Sequence, residues 1–263
     1  MHLLPLGVNG YFPSRGRQTM CFLLRLDEAA VVLDAGTGIS RLIEPEIAAQ
    51  LEGCEALDLV LTHFHLDHTI GISYLPALSP TRPVRIHAPG PPLVDSDPAE
   101  ALCRLIHPPL FPIPLPEFPM AVDLVRMTAE SHEIAGVPVR LRRQKHPGGS
   151  VGLRFADRLA YVTDTVADEG SADLAAGVDL LLHEVWAGPG GEAAGVGHSS
   201  ADQVARIARS AGVARLMPVH LHPARTSADV EALGRELEER LAGEVEVVLP
   251  EEGRVYQIGE LGA

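Results

Sequence analysis

Short apolar runs separated by polar turns dominate the chain. Residues 3–6, 20–26, 29–33, 57–61, 84–87, 122–127, 137–141, 151–155, 159–162, 178–182, 214–219, 245–249 and 254–258 each read as strands. Runs of this length, with β-branched content and turn residues at their ends, are the pattern of buried strands. Residues 20–26 and 29–33 form a hairpin around Asp27-Glu28, and residues 151–155 and 159–162 form another. Helical spacing is sparser. Helices are expected over 41–51, 71–78 and 98–107, the last with Pro98 near its start. Val204, Ile207, Ala208 and Ala211 fall on one face of a further helix, with Ser199 and Asp202 as its capping box. Thr226 and Asp229 cap a final helix carrying Val230, Leu233, Leu237 and Leu241. The remaining pattern is a proline-rich excursion at about 88–120, which holds 10 of the 22 prolines between Pro89 and Pro119. Residues 108–116 can be neither helix nor central strand, because proline lacks the N–H that both require. They read as a stiff apolar loop, either lining a substrate entrance or dimer surface or packed as a surface excursion.

The 263 residues suffice for a sizeable core, and no linker or break in composition divides them, so one domain spanning 1–263 is expected. Aromatic content is only 4%, so Leu, Val, Ile and Ala must fill that core. A formal net charge of −14 disfavours a large nucleic-acid footprint, since acidic surfaces repel phosphate backbones. Cys21, Cys54 and Cys103 are odd in number and widely spaced, which fits reduced thiols in a cytoplasmic protein. The first residues lack the basic and apolar regions of a signal peptide, and no run is long enough to span a bilayer.

The chemistry concentrates in Thr62-His63-Phe64-His65-Leu66-Asp67-His68, directly after the strand at 57–61. Three imidazoles and a carboxylate at a rigid strand end can aim at one point. They are good donors for divalent metals and could serve two ions, His63 and His65 on one, Asp67 and His68 on the other. Later strands end in the same way: His146 precedes Gly148-Gly149, Asp164 follows 159–162, His183-Glu184 follows 178–182, and His220 and His222 follow 214–219. The paired glycines allow a close backbone approach or an anion nest. His198, just ahead of a helix N-terminus, is well placed to meet phosphate. Ser14, Arg15 and Arg17 are candidate anion contacts, with Tyr11 and Trp186 as further substrate contacts. His87 and His107 read as structural or exposed.

His-x-His-x-Asp-His after a buried strand resembles the signature of metallo-β-lactamase-fold hydrolases. Asp34-Ala35-Gly36, His183-Glu184-Val185 and Gly197-His198-Ser199-Ser200 are similar to motifs of the ribonuclease Z-like phosphodiesterase branch. The resemblance covers nearly the whole chain. It implies an α/β (α+β) fold, a four-layer αβ/βα sandwich with two mixed β-sheets and helices on the outer faces. It implies a dinuclear centre: His63, His65 and His146 on one ion, Asp67, His68 and His220 on the other, Asp164 bridging, with His222 the near-miss for His220. The cofactors would be two divalent ions per chain, zinc first, with manganese or iron compatible. Asp67 would orient the nucleophile, His198 would protonate the leaving group, and Glu184 would hold the His198 ring. Asp34 either caps a turn or, as the resemblance implies, steadies other site residues. The expected function is hydrolysis of a small or cyclic nucleotide-type phosphodiester, since no convincing basic arm for grasping tRNA is present. Alternatives are tRNA 3′-processing endoribonuclease activity, thioester or lactone hydrolysis on the same metals, or a non-catalytic sensor. The resemblance also suggests a homodimer.

Overall fold

The structure is a computed structural model that describes residues 1–26, 28–79, 81–187 and 197–259. Part of the expected Asp27-Glu28 turn and residues 188–196 of the Gly-rich loop lie outside the described residues. Strands β1 (His2–Gly7), β2 (Cys21–Arg25), β3 (Ala30–Leu33), β4 (Leu57–Val60), β5 (Val84–Pro89) and β6 (Val122–Met127) form one sheet. Strands β7 (Ser131–Ile134), β8 (Val137–Gln144), β9 (Ser150–Phe155), β10 (Leu159–Val162), β11 (Leu180–Glu184), β12 (Arg215–Val219) and β13 (Glu246–Val247) form a second. The last strand, β14 (Tyr256–Gln257), returns to pair with β1. Both sheets are mixed. In the first, β1 to β3 run antiparallel and β3 to β6 parallel. In the second, β7 to β10 run antiparallel and β10 to β13 parallel.

Two cores explain why the strands are apolar throughout rather than alternating. Phe22 and Leu24 of β2 and Val31 and Leu33 of β3 face the second sheet and share a core with Leu153, Tyr161 and Leu181. Leu23 and Val32, on the opposite face of the same strands, pack under the outer helices with Leu59 and Ile86. A sheet covered on both sides needs apolar residues at every position. Helices α1 (Pro45–Ala48), α2 (Leu66–Thr69), α3 (Leu75–Leu78) and α4 (Pro98–Leu105) belong to the first half. Helices α5 (Glu169–Ala175), α6 (Ala201–Ala211) and α7 (Ser227–Leu241) cover the second sheet. The result is the expected four-layer sandwich.

Several local expectations are corrected. The helix expected over 41–51 breaks into a 3-10 segment Thr37–Ile43, α1, and a further 3-10 turn. Pro45 forces Glu44 into an extended conformation and so interrupts it. The helix at 71–78 is likewise a 3-10 segment, Ile70–Tyr74, followed by α3, with Pro76 in the first turn of α3. The cap of α6 is Ser200, boxed with Gln203, not Ser199 with Asp202. Ser199 instead donates to the Thr165 carbonyl at 2.6 Å. Hairpin β7–β8 turns at Ala135 and Gly136, both left-handed, and β7 itself is too polar to register as an apolar run. The last two expected strands shrink to the two-residue pairings of β13 and β14. Within the proline-rich segment, Phe111, Ile113 and Leu115 pack on the outer core of the first sheet, while Leu110 is exposed.

Glu252 ties the C-terminal segment to the loop after β1, accepting from Val8 N at 3.2 Å and Gln18 N at 2.8 Å. Burial lifts its pKa from 4.5 to about 7, against the pull of those amides and of Arg41 and Arg17. A carboxyl with a raised folded pKa favours the fold while protonated. That contribution is complete below about pH 4.5 and is lost as pH rises through about 7. Denaturant melts of the wild type should therefore lose about 3 kcal/mol between pH 5 and 8 that Glu252→Gln does not lose. Equal pH profiles for the two proteins would refute this account.

Candidate metal centre

The C-terminal ends of the parallel strands in both sheets converge on one edge. Asp34 follows β3, His63 to His68 follow β4, Asp164 follows β10, and His220 follows β12. His146 arrives from the end of β8, and Glu184 is the last residue of β11. Val151 N donates to the Thr62 carbonyl at 3.0 Å and joins the two sheets beside the cluster. Asp34, Asp164 and His220 all adopt left-handed backbone, with φ of 57°, 50° and 52°. For residues other than glycine this conformation is costly and is held by the surrounding structure.

Donor atoms from His63, His65, His146 and Asp164 lie within 4.8 Å of one another, as do those from Asp67, His68 and His220. Asp164 lies between the two groups, 3.6 Å from His146 Nε2, 3.1 Å from His68 Nε2 and 3.3 Å from His220 Nε2. All seven residues expected as ligands therefore come together. His222 does not join them; its Nδ1 accepts from Ala224 N, and its ring sits 4.6 Å from Trp186. His87 is structural, bonded to Asp58 and His132, and His107 is exposed.

The charge balance fits cations. Burial drives His63 well below the ordinary imidazole value and moves His65 and His146 the same way, so these rings stay neutral with a lone pair available. Burial also opposes charge on His68, but Asp164, Asp67 and Asp34 surround it and hold its pKa well above normal. Burial disfavours the Asp164 carboxylate as well, yet His220, His68 and His63 keep it well below the carboxylate range. The carboxylates thus demand positive charge here. The buried Nε2 atoms of His63 and His68 have no hydrogen-bond partner. Metal ligation would use the lone pair of His63, displace the proton that the carboxylates hold on His68, and supply the missing charge.

A supporting layer fixes the donors. Asp34 accepts from Thr62 N at 2.8 Å and from Tyr161 OH at 2.7 Å, and its Oδ2 lies 2.8 Å from His68 Nδ1. Asp34 thus fixes the His68 ring, one of the candidate donors, and does not merely cap a turn. Thr163 donates to Asp164 at 2.6 Å, and Tyr11 N donates to Asp67 at 2.6 Å. Sequence reasoning missed Tyr161 and Thr163 as contributors, because each is an ordinary residue of an apolar strand or its end. Gly10 was missed too. A Cβ there would lie 2.3 Å from the His220 ring, so only glycine fits. The Gly148-Gly149 turn is left-handed at both residues, and Gly149 N bonds back to His146 O rather than facing a ligand.

Beside the cluster, both carboxylate oxygens of Glu184 lie 3.0–3.1 Å from His198 Nδ1. Thr165 N donates to Glu184 Oε1 at 2.6 Å. Burial, reinforced by Asp164, pushes Glu184 well above the carboxylate range, while burial lowers His198. Trp186 stacks on the His198 ring at 4.9 Å. His183 turns away, fully buried, its pKa lowered to about 4 by burial. Arg17 is tied to Asn9 Oδ1 and to the Arg225 carbonyl, whereas Arg15 is exposed.

Two substitutions test this layer. Tyr161→Phe keeps the edge contact with Phe22 but removes a donor to a buried carboxylate, so a loss of about 2 kcal/mol is expected in denaturant melts. Gly10→Ala should displace the His220 ring and lower bound metal per chain, read by elemental analysis, with the far-ultraviolet spectrum retained. Unchanged metal content would refute the close-approach account of Gly10.

Comparison with known proteins agrees with this geometry. The family model described as "Beta-lactamase superfamily domain" matches residues 30–221. A protein named ribonuclease Z from Metallosphaera sedula is 28% identical over 261 residues, covering 82% of this chain and 86% of its own. The metallo-β-lactamase fold protein YhfI from Bacillus subtilis superposes with a TM-score of 0.78 at 18% identity, over 97% of this chain and 98% of its own. The short form of human tRNase Z superposes with a TM-score of 0.70 at 20% identity, over 98% and 100%. These structural likenesses concern the fold. The family match, together with the assembled donors, places the chain in the β-lactamase superfamily, as a metal-dependent hydrolase of the metallo-β-lactamase fold.

Proposed function

We propose that the protein hydrolyses phosphodiesters at a dinuclear centre held by His63, His65, His146, Asp67, His68 and His220, with Asp164 bridging. The observation that carries this reading is the His198–Glu184 pair, 3.0 Å apart and beside the donor cluster. Hydrolysis of a carbonyl compound on two metals has no need of such a pair, whereas a diester expels a poor alkoxide that must be protonated. When bound, the ions supply Lewis-acid polarisation of a phosphoryl oxygen and lower the pKa of an attacking water. Zinc is the first choice, since imidazole and carboxylate suit it, and manganese or iron fits the same donors.

The chain's own residues do the rest. Burial disfavours charge on Asp67, but His68 and His220 hold its pKa far below the usual range, so it stays a carboxylate that can orient the nucleophile. Glu184 holds His198 by Nδ1, which leaves Nε2 to deliver a proton to the leaving oxygen. Trp186, stacked on that ring, keeps it from turning away. The relatives named ribonuclease Z, aligned over most of both chains, support RNA as the diester rather than the small or cyclic nucleotide expected from the acidic balance and the lack of a basic arm. The net charge of −14 keeps the small diester as a second reading.

The test pairs metal analysis with hydrolysis of bis(p-nitrophenyl) phosphate, a 3′-extended RNA, a cyclic nucleotide and a thioester. Two metals per chain and selective diester cleavage are expected. His198→Ala should lower kcat on the RNA or cyclic nucleotide, which expel an alkoxide, by about 10²–10⁴-fold with metal content kept, and far less on bis(p-nitrophenyl) phosphate, whose p-nitrophenolate leaves without a proton. Cleavage of the RNA over the cyclic nucleotide would support the RNA reading, and the reverse would favour the small substrate. Thioester turnover unaffected by the substitution would overturn the proposal.

A further inference from the structure

Among the described residues, six large hydrophobic side chains are exposed, and three of them, Tyr11, Phe12 and Leu66, belong to the loop after β1 and the start of α2, which meet at Asp67. Tyr11 is 71% exposed, Leu66 62% and Phe12 47%. Tyr11 and Phe12 form an edge-to-face pair with ring centroids 5.2 Å apart. The loop that carries them is rigidly held. Tyr11 N donates to Asp67, Gly10 N bonds to the Leu221 carbonyl, and Ser14 and Arg17 close a turn through both backbone bonds. Tyr11 itself is fixed in left-handed backbone at φ 67°. Arg15 stands exposed at the tip of that turn, while its neighbour Arg17 is engaged with Asn9 and Arg225. A strained, well-anchored loop that turns two aromatic rings and a cation to solvent is not explained by packing. Its surroundings suggest an occupant: its backbone touches the metal centre, and its side chains pair apolar faces with one positive charge.

We propose that Tyr11, Phe12 and Leu66 form a stacking shelf for the nucleobase next to the scissile phosphate, with Arg15 meeting a neighbouring phosphate of the same strand. This inference rests on the phosphodiester reading and deepens it, since it selects single-stranded oligonucleotide over a bare diester. Aromatic faces tolerate every base, and a guanidinium beside them fits the backbone charge, which is how single strands are bound without sequence readout. The acidic remainder of the surface limits the footprint to the few nucleotides this loop can reach.

The metal-loaded protein and its Tyr11→Ala/Phe12→Ala variant are compared on thymidine 5′-(p-nitrophenyl phosphate) and methyl p-nitrophenyl phosphate. In both, water adds to phosphorus and p-nitrophenolate leaves, so the substrates differ only in the nucleoside. Anisotropy of a fluorescein-labelled hexauridylate measures binding directly, with Arg15→Ala as a second variant. The ratio of kcat/KM between nucleoside and methyl substrates should fall about tenfold in the double variant, through KM, and hexauridylate Kd should rise about tenfold in both variants. Equal losses on the two substrates, or unchanged hexauridylate binding, would overturn the shelf. So would a change from dimer to monomer in sedimentation, because the rings would then face a second copy of the chain. If the wild type cleaves neither diester, the phosphodiester reading fails by itself and the hexauridylate affinities alone decide the shelf.

Discussion

Two buried carboxylates, Asp34 and Asp164, govern the arrangement of the molecule. Neither touches solvent appreciably, and each sits where strands from the two sheets converge. A buried carboxylate without hydrogen bonds or countercharge is too costly to keep. Asp34 is balanced by Thr62 and His68 from the first sheet's side and Tyr161 from the second. Asp164 arises from the second sheet, and its imidazole neighbours come from both halves of the chain. Neither sheet alone can satisfy these groups. Forming the sandwich and forming the cluster are therefore one event, and the left-handed backbone at Asp34, Asp164 and His220 is stabilised by the contacts that event creates.

The same dependence explains what the sequence could reveal. A metal donor must sit on something rigid, and the end of a buried strand is the rigid element most easily recognised from one sequence. His63, Asp164 and His220 each follow an apolar run, so their positions were legible, and the resemblance supplied their order. Glu184 and His198 were legible as motifs, the resemblance implied that Glu184 holds the His198 ring, and the structure sets the two 3.0 Å apart. Tyr161 was invisible for a physical reason. Its ring does what any core aromatic does, packing on Phe22, and only the tertiary fold carries its hydroxyl to Asp34. Gly10 likewise gave no signal, because the demand for glycine comes from the His220 ring, far away in sequence.

Local errors arose where a proline or a tertiary contact overrode the apolar pattern. The apolar spacing over 41–51 suits a helix, but Pro45 denies Glu44 the helical conformation, and the chain settles into short turns that still bury Ile39, Leu42, Ile47 and Leu51. Burial survived the break, because the short turns carry the same side chains to the core. The cap of α6 slipped by one residue for a related reason. Ser199 and Ser200 are chemically equivalent candidates, and the choice falls to Ser200 because Ser199 is needed at the Thr165 carbonyl, behind the Glu184–His198 pair.

Chemistry and selectivity are carried by different parts of this architecture. The donors come from strand ends and the helical turn after β4, whose positions the two cores fix. The loop from Val8 to Arg17 reaches the centre mainly through its backbone, by the Tyr11 amide on Asp67 and the bare Cα of Gly10 against His220. The side chains of Tyr11, Phe12 and Arg15 are consequently free to face outward. A change at Tyr11, Phe12 or Arg15 can alter what approaches the centre without moving a ligand, so long as the backbone keeps its conformation. Trp186 is constrained differently, since its ring rests on His198 and lies close to His220, and a change there disturbs the His198 ring itself. The outward loop is therefore where this fold can vary its substrate at least structural cost, and the His198 side of the site is where it cannot.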